Sequence, residues 1–507
     1  MVATAAVSVA SAVVVVWQNS RLAVLWDVSY ILENASRIVA GDVPYRDFPF
    51  PYAPLTFAVQ AAIIKILGRV YWHHIAYATI ACAAATALTI RVGRRFASDA
   101  IAIIYSAPLA LLGIYCIFPH PFYDPDCCLL LLALVALLLS DRAPLLTGAL
   151  SVLPLFVKQN IGLAFIAALF VLLVIERRWR VVIGMLIGGA VALLTAATIF
   201  GIGNYARWTL AFAAERRLPS FALMIGIYDD TTLWWQIAIV LVGVFVARAR
   251  WLIAVPWLWT AWRFFATDDP SEREINLLRA WPLVIVVATV VAIVRWRRER
   301  KAIPLLLVAT IHGAFLSQQT WGSTYGIWPL LVLLMVFAFR DAGRPVAIVI
   351  SAVMLLSASD YLRNESRLTY AKWNDGVTAT SQLPSLRGLR MRGPWLADFD
   401  ELVVWTERNI PRGDGILSIP GEDLFYFATG RRPRFPVVMF DRTINPYASD
   451  AVAAIAHERG IRWVIVKRSL QLNGTPYPEL GDTLHSLRNE FAPTAFLRNY
   501  VVFRRSR

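Results

Sequence analysis

Residues 26–54 read WDVSYILENASRIVAGDVPYRDFPFPYAP, an acidic, proline-punctuated stretch just downstream of a run of alanine and valine. A chain that is 58% apolar and only 16% charged places three aspartates here, Asp27, Asp42 and Asp47. Polar density of this kind between apolar segments reads as the loop that leaves a first membrane helix, and the rest of the chain agrees. The mean hydropathy of +0.57 exceeds that of a soluble globular domain. Apolar segments long enough to cross a bilayer recur from residue 1 to about residue 360. Beyond Asp360, short apolar runs such as GILSI (415–419), FPVVMF (435–440) and RWVIV (462–466) alternate with turn residues and charge. That alternation is the pattern of a water-soluble α/β domain. The expected fold is therefore a mainly α membrane domain, residues 1–360, followed by an external α/β domain, residues 361–507.

The net charge of +15 raises nucleic acid as a partner, but the arginines and lysines gather in short clusters at the ends of apolar runs. RVGRR (91–95), DR (141–142), ERRWR (176–180), RARW (248–251), RWRRERK (295–301) and RDAGR (340–344) are topology signals, and nucleic acid is set aside. Placing every cluster in the cytoplasm needs thirteen helices, near 1–20, 72–91, 99–117, 126–140, 143–157, 160–175, 181–201, 232–247, 251–267, 281–294, 302–317, 325–339 and 345–360. The N-terminus is then cytoplasmic and the C-terminal domain external. PLTFAVQAAIIKIL (54–67) is short, carries Gln60 and Lys65, and reads as a helix lying on the external surface, so loop one spans about 21–71. The first segment lacks a basic start, and no A-x-A cleavage site follows its apolar run, so it reads as a retained helix. The four cysteines fall in or beside membrane helices, which implies no disulfide framework. Forty-four arginines against five lysines point to a GC-rich, bacterial genome and hence to a bacterial inner membrane.

This topology collects acids, amides and aromatics on the external side, where an outward-facing site is the economical reading. Asp27 precedes an amphipathic helix and serves as its N-cap or as a general base. Asp124 and Asp126, in FYDPD, begin an apolar helix at the hydrocarbon edge, where a carboxylate is costly unless paired, coordinated or used. Lys158, in VKQNIG, stands between two apolar helices on the side that disfavours it; with Gln159 it suits a phosphate whose lipid tail stays in the bilayer, or a structural partner. Arg46 and Asp47, with Tyr52, add charge and an aromatic to loop one. Gln318, Trp321 and Tyr325, in the last external loop of the membrane part, suit a sugar or an interfacial aromatic belt.

The order of these elements resembles the GT-C superfamily of polyprenyl-phosphate-dependent glycosyltransferases, which includes the protein O-mannosyltransferase, oligosaccharyltransferase and lipid A aminoarabinose transferase families. WDVSY after the first helix, GDVPYRDFPFPYAPLTF, FYDPD, TGALSVLPLFVKQNIG and SIPGEDLFYFATGRRP carry the likeness, most strongly over about residues 20–165. The resemblance implies an inverting transfer from a polyprenyl-phosphate sugar to a glycan, lipid or protein hydroxyl. Asp27 matches the acid that acts as base, Asp124 or Asp126 the second-loop acid, and Lys158 matches by position. Many members carry two adjacent acids in loop one, whereas Val28 follows Asp27 here. The Asp124/Asp126 spacing resembles a metal-binding second loop, so a magnesium or manganese requirement stays open. A lipid-linked-sugar flippase would show ionisable groups at mid-membrane and paired repeats; an O-antigen-type ligase or polymerase would concentrate its acids in a late loop.

Overall fold

The computed structural model describes residues 2–19, 26–299, 302–317, 321, 324–364, 378–441, 443–470 and 478–506. Its first helices are α1 (Val2–Asn19), α2 (Trp26–Val39), α3 (Leu55–Leu67) and α4 (Tyr71–Gly93). Among the described residues, six helical stretches are long and apolar enough to cross a membrane: α1, α4, Tyr123–Ser140, Trp179–Phe200, Pro270–Trp296 and Arg344–Arg363. Shorter apolar helices, including α3, Gln159–Ile175, Thr231–Phe245, Ile303–Phe315 and Trp328–Ala338, complete a multi-pass bundle. Trp328–Ala338 is buried at every residue, as expected of a helix that is apolar all round.

Each of the thirteen expected segments contains helix, with departures that have local causes. Segment 99–117 breaks into Asp99–Ser106 and Leu109–Leu112, because Pro108 removes a backbone donor and Gly113 leaves the helix in an extended conformation. Segment 143–157 is helical only to Leu150 and tightens into a 3₁₀ turn at Leu153–Phe156 around Pro154. Residues 203–230, expected as an open loop, are a run of short helical pieces from Ile202 to Tyr228. Pro144–Leu150 packs backbone to backbone on Trp179–Thr195: a Cβ on Gly148, Gly184 or Gly188 would run into carbonyl groups of the facing helix.

The C-terminal part carries a small antiparallel pair, β1 (Thr378–Thr380) with β2 (Arg390–Arg392), and a four-stranded mixed sheet. In the latter, β3 (Gly415–Ile419) runs parallel to β4 (Ile461–Lys467), and the hairpin β5 (Phe491–Phe496)/β6 (Tyr500–Arg505) adds antiparallel to β4 through β6, giving the order β3-β4-β6-β5. Alternate residues divide the sheet's faces. Leu417, Val464 and Val466 meet a small core with Val452, Ala456 and Leu487 from the helices Ser449–Glu458 and Pro478–Arg488, while Ile416, Trp463, Ile465 and Val502 join the main core.

α2 joins this domain to the membrane part, and Val28–Arg37 is buried throughout. Its apolar side packs on α3, and Ser29, Glu33 and Arg37, spaced i, i+4, i+8, form a polar stripe against the C-terminal domain. Ser29 donates to the carbonyls of Gly421 (3.0 Å) and Asp423 (2.8 Å). Glu33 accepts from the backbone N–H of Tyr426 (2.9 Å) and Phe427 (3.0 Å) at the start of the short helix Phe425–Thr429. Arg37 donates to Asp42 (2.7 Å) and to the carbonyls of Phe435 and Pro436 (3.0 and 2.7 Å). Arg432 closes the far side of Asp42.

Burial outweighs the two N–H donors and pushes the Glu33 carboxyl up from 4.5 to about 8. Between those values the docked form keeps a proton that the unfolded chain releases, so docking is most stable on the acid side and weakens as pH rises through that window. Thermal unfolding followed from pH 4.5 to 8 will show this decline, and Glu33→Gln, which keeps the shape without the charge, will flatten it. An unchanged slope in the variant would rule Glu33 out as the titrating group.

Candidate functional site

Residues that are distant in sequence meet where Tyr123–Ser140 begins. Phe122 is extended, the helix starts at Tyr123, and both acids fall in its first turn, where the positive end of the helix dipole favours them. Two positions apart on a helix, they face different sides. Asp124 points to the lysine. Its Oδ1 lies 3.2 Å from Lys158 Nζ, and its Oδ2 accepts from Lys158 and from the Tyr325 hydroxyl, each at 3.3 Å. The carboxylate is only 2% exposed and the lysine 13%, so the pair sits in surroundings of low dielectric, with what exposure it keeps mostly on the lysine. Lys158 also lies over the Tyr123 ring, 4.1 Å from its centroid.

Asp126 points the other way, into hydroxyls. Its Oδ2 accepts from Thr56 (2.7 Å), and its Oδ1 accepts from Tyr77 (2.7 Å) and Tyr115. The carboxylate thus ties α3 and α4 to the Tyr123–Ser140 helix. The spacing that suggested a shared cation does not fit one as placed: Asp124 holds an ammonium, and both Asp126 oxygens are occupied by hydroxyl donors. Among the described residues, no three histidines, cysteines or acids gather as metal ligands.

Lys158 is presented by a tight turn. The 3₁₀ turn Leu153–Phe156 runs directly into the Gln159–Ile175 helix, with Lys158 extended at its N-cap. Gly162, one turn in, lets the backbone fold onto Pro154 and Leu155; a Cβ there would run into both. Gln159 donates to the Pro51 carbonyl of loop one (3.2 Å), and Asn160 to the carbonyls of Gly313 and Leu316 (2.8 and 3.2 Å). Tyr325 arrives from the opposite side on a 3₁₀ turn, and Gly326 packs against Pro125, where a Cβ would lie 2.9 Å from the proline ring.

Asp27 is half-buried and lies within the first turn of α2, which begins at Trp26, so it stands inside the helix end rather than before it. A column of rings leads from its helix to the ion pair. Tyr30 packs on Tyr52 (5.0 Å between centroids), Tyr52 on Tyr123 (4.9 Å), and Tyr123 lies under Lys158. Tyr52 is therefore part of the site's floor. Arg46 and Asp47 pair with each other (3.2 Å) in an exposed turn, with Asp47 also accepting from the Val43 N–H, and neither contacts the Asp124–Lys158 pair. Trp321 packs edge-on against Phe315 (5.8 Å), and Gln318 lies outside the described residues.

Sequence reasoning missed Tyr123 and Tyr30, which read as ordinary aromatics, and the polar stripe of α2. One signal was available: Ser29, Glu33 and Arg37 recur every fourth residue in a helix whose other side is apolar. Lys467 was a second, a lysine ending a core strand, buried between Glu422 (2.7 Å) and Asp423 (2.8 Å), with the Tyr500 hydroxyl on Asp423.

No protein-family model matches the chain, and no curated protein does. Solved structures do. The crystal structure of ArnT from Cupriavidus metallidurans bound to undecaprenyl phosphate is similar at 12% identity and a TM-score of 0.50, over 97% of this chain and 96% of that one. The oligosaccharyltransferase AglB from Archaeoglobus fulgidus, in complex with an inhibitory peptide and a dolichol-phosphate, is similar at 13% identity and a TM-score of 0.52, over 99% of this chain and 74% of that one. The same archaeal enzyme tethered to an acceptor peptide gives 10% identity and a TM-score of 0.52. Over nearly its whole length the chain shares the fold of these membrane proteins.

Removing one partner of a buried ion pair leaves an uncompensated charge and costs about 3–5 kcal/mol. Lys158→Met will therefore destabilise the protein on that scale in thermal or denaturant unfolding, and adding Asp124→Asn will restore most of the loss. A double variant no more stable than Lys158→Met would show that the two charges are not coupled.

Proposed function

We propose that this protein is an inverting glycosyltransferase that moves a sugar from a polyprenyl-phosphate donor to an acceptor hydroxyl on the external face of a bacterial inner membrane. The observation that carries this reading is the Asp124–Lys158 pair, a part-buried lysine held at the head of apolar helices, with a tyrosine hydroxyl beside it and a column of packed rings leading to it from Tyr30 of α2, the helix that carries Asp27. The neighbours of like fold were solved with undecaprenyl phosphate and with a dolichol-phosphate, and this pair is suited to such a headgroup.

Lys158 exchanges Asp124 for the incoming phosphate, and Asp124 holds the ammonium in place until then. The Tyr325 hydroxyl donates to a second phosphate oxygen. The Asp27 carboxylate takes the proton of the acceptor hydroxyl as that oxygen bonds to the anomeric carbon; the bond from that carbon to the phosphate oxygen breaks, and its electron pair leaves on the phosphate. Attack opposite the leaving group inverts the anomeric centre. Val28 is apolar and Asp126 is saturated by hydroxyls, so no step is assigned to a divalent cation. Residues 1–360 form the catalytic membrane domain, N-terminus inside, and residues 361–507 form the external domain that holds α2 and meets the glycan, lipid or protein acceptor.

Purified protein in lipid, given a panel of radiolabelled polyprenyl-phosphate sugars, will cleave at least one. Asp27→Asn will lose roughly 10²–10⁴-fold in turnover while still binding polyprenyl phosphate, and Lys158→Met will bind it more weakly. Full turnover in folded Asp27→Asn would remove the base assignment.

A further inference from the structure

A cavity of about 170 Å³ opens among three segments that the expected topology places on one side of the membrane: 226–236, 275–282 and Trp321. Ile227, Leu233, Leu278 and Pro282 supply apolar wall, and Trp321 an indole. The polar groups are few and placed. Asp230 caps Thr231–Phe245, its Oδ1 accepting from the Thr232 N–H (2.8 Å) and hydroxyl (2.7 Å), while its Oδ2 pairs with Arg279 Nε at 2.5 Å. Arg279 also donates from Nη1 to Asn276 (2.8 Å), which leaves its third nitrogen, Nη2, without a partner among the described residues. Gln236 is 5% exposed, lines the cavity, and its carboxamide makes no hydrogen bond among the described residues. Its amide atoms are not sealed off and keep access through the cavity, where an entering ligand can meet them.

The charges decide what that is. Asp230 and Arg279 cancel, so the cavity is neutral. An anion would have to displace Asp230, which two hydrogen bonds from Thr232 hold against Arg279, and a cation would find both Asp230 oxygens occupied. An amide that both donates and accepts, a spare guanidinium N–H and an indole beside aliphatic wall together suit a neutral ligand with hydroxyls on its rim and C–H groups on its faces. Trp321 stands four residues before Tyr325, whose hydroxyl is on Asp124, so one loop supplies both the cavity's indole and a hydroxyl of the ion-pair site.

We propose that this cavity is a pyranose subsite, with Gln236 and Arg279 hydrogen-bonding the sugar hydroxyls and Trp321 covering a ring face. Its place in a reaction rests on the glycosyltransferase reading; its affinity for sugar does not. The same chemistry serves the sugar of the donor or a sugar of the acceptor.

The full-length protein in lipid nanodiscs is titrated with a panel of neutral methyl hexopyranosides and pentopyranosides, and saturation transfer from protein to glycoside is read by NMR. At least one glycoside will receive signal, with binding roughly threefold to tenfold weaker in Gln236→Leu, which preserves shape, and in Trp321→Ala. Thermal unfolding confirms that each variant is folded. Repeating the titration with a polyprenyl-phosphate sugar present assigns the source: displacement means that the donor sugar occupies the cavity, and retention means that the acceptor does. No signal from any glycoside, or signal indifferent to both cavity variants, overturns the proposal. Binding of tritiated polyprenyl phosphate is measured on the same samples, and its absence would count against the glycosyltransferase reading while leaving the sugar result to stand by itself.

Discussion

A helix with no face turned to water must find a partner for each polar group it carries, and α2 is such a helix. Its apolar side is held by α3 and the aromatic loop that follows, which is ordinary packing. The polar side is the constraint. Ser29, Glu33 and Arg37 spend their hydrogen-bonding capacity mainly on backbone atoms of the C-terminal domain, which lie at fixed positions in space. Backbone partners fix register more strictly than side chains do, because they have no rotamers with which to follow a shifted helix. The pitch and height of the helix that carries Asp27 are thus set by a domain folded several hundred residues later in the chain.

The two acids of the next loop show how environment divides identical side chains. Asp126 accepts from three hydroxyls that belong to α3, α4 and the turn at Tyr115, and it acts as a rivet. Asp124, a half-turn away, faces an ammonium that keeps 13% of its side chain exposed. Exchange of one partner for another is easier at an ion pair than at a threefold hydroxyl cage, so Asp124 is the acid whose partner can change and Asp126 the one that holds the helices together. Burial raises the stakes in both places, since a charge or hydrogen bond left unmatched in low dielectric is expensive.

Much of the fold was legible because the bilayer is a severe solvent. It demands apolar stretches of a set length with basic ends, and the thirteen segments read from that rule all contain helix. The strands GILSI and RWVIV and the closing hairpin were legible for a similar reason, as short apolar runs bounded by turns. The rule is silent where backbone chemistry intervenes, as at Pro108 and Pro154, and where amphipathic pieces such as 203–228 coil without a span's length. The candidate site was half legible: rare charges in apolar surroundings singled out Asp124 and Lys158, which the structure brings together, but that Asp126 would be caged depended on Thr56, Tyr77 and Tyr115, whose convergence no local pattern announces. The membrane placement of Lys158 was visible; its seat over Tyr123 was not.

The fold of the chain at Gly162 has a consequence for reading variation in this protein. The residue carries no functional group and sits in a helix that looks like plain membrane filling, yet the backbone of the preceding turn occupies the space where any side chain would go. The lysine four positions earlier is held at its height by that approach. Were every substitution in the gene scored for growth, position 162 would tolerate as little as the charged residues do, and a map of intolerance would count among the reacting groups a position that contributes only the absence of an atom.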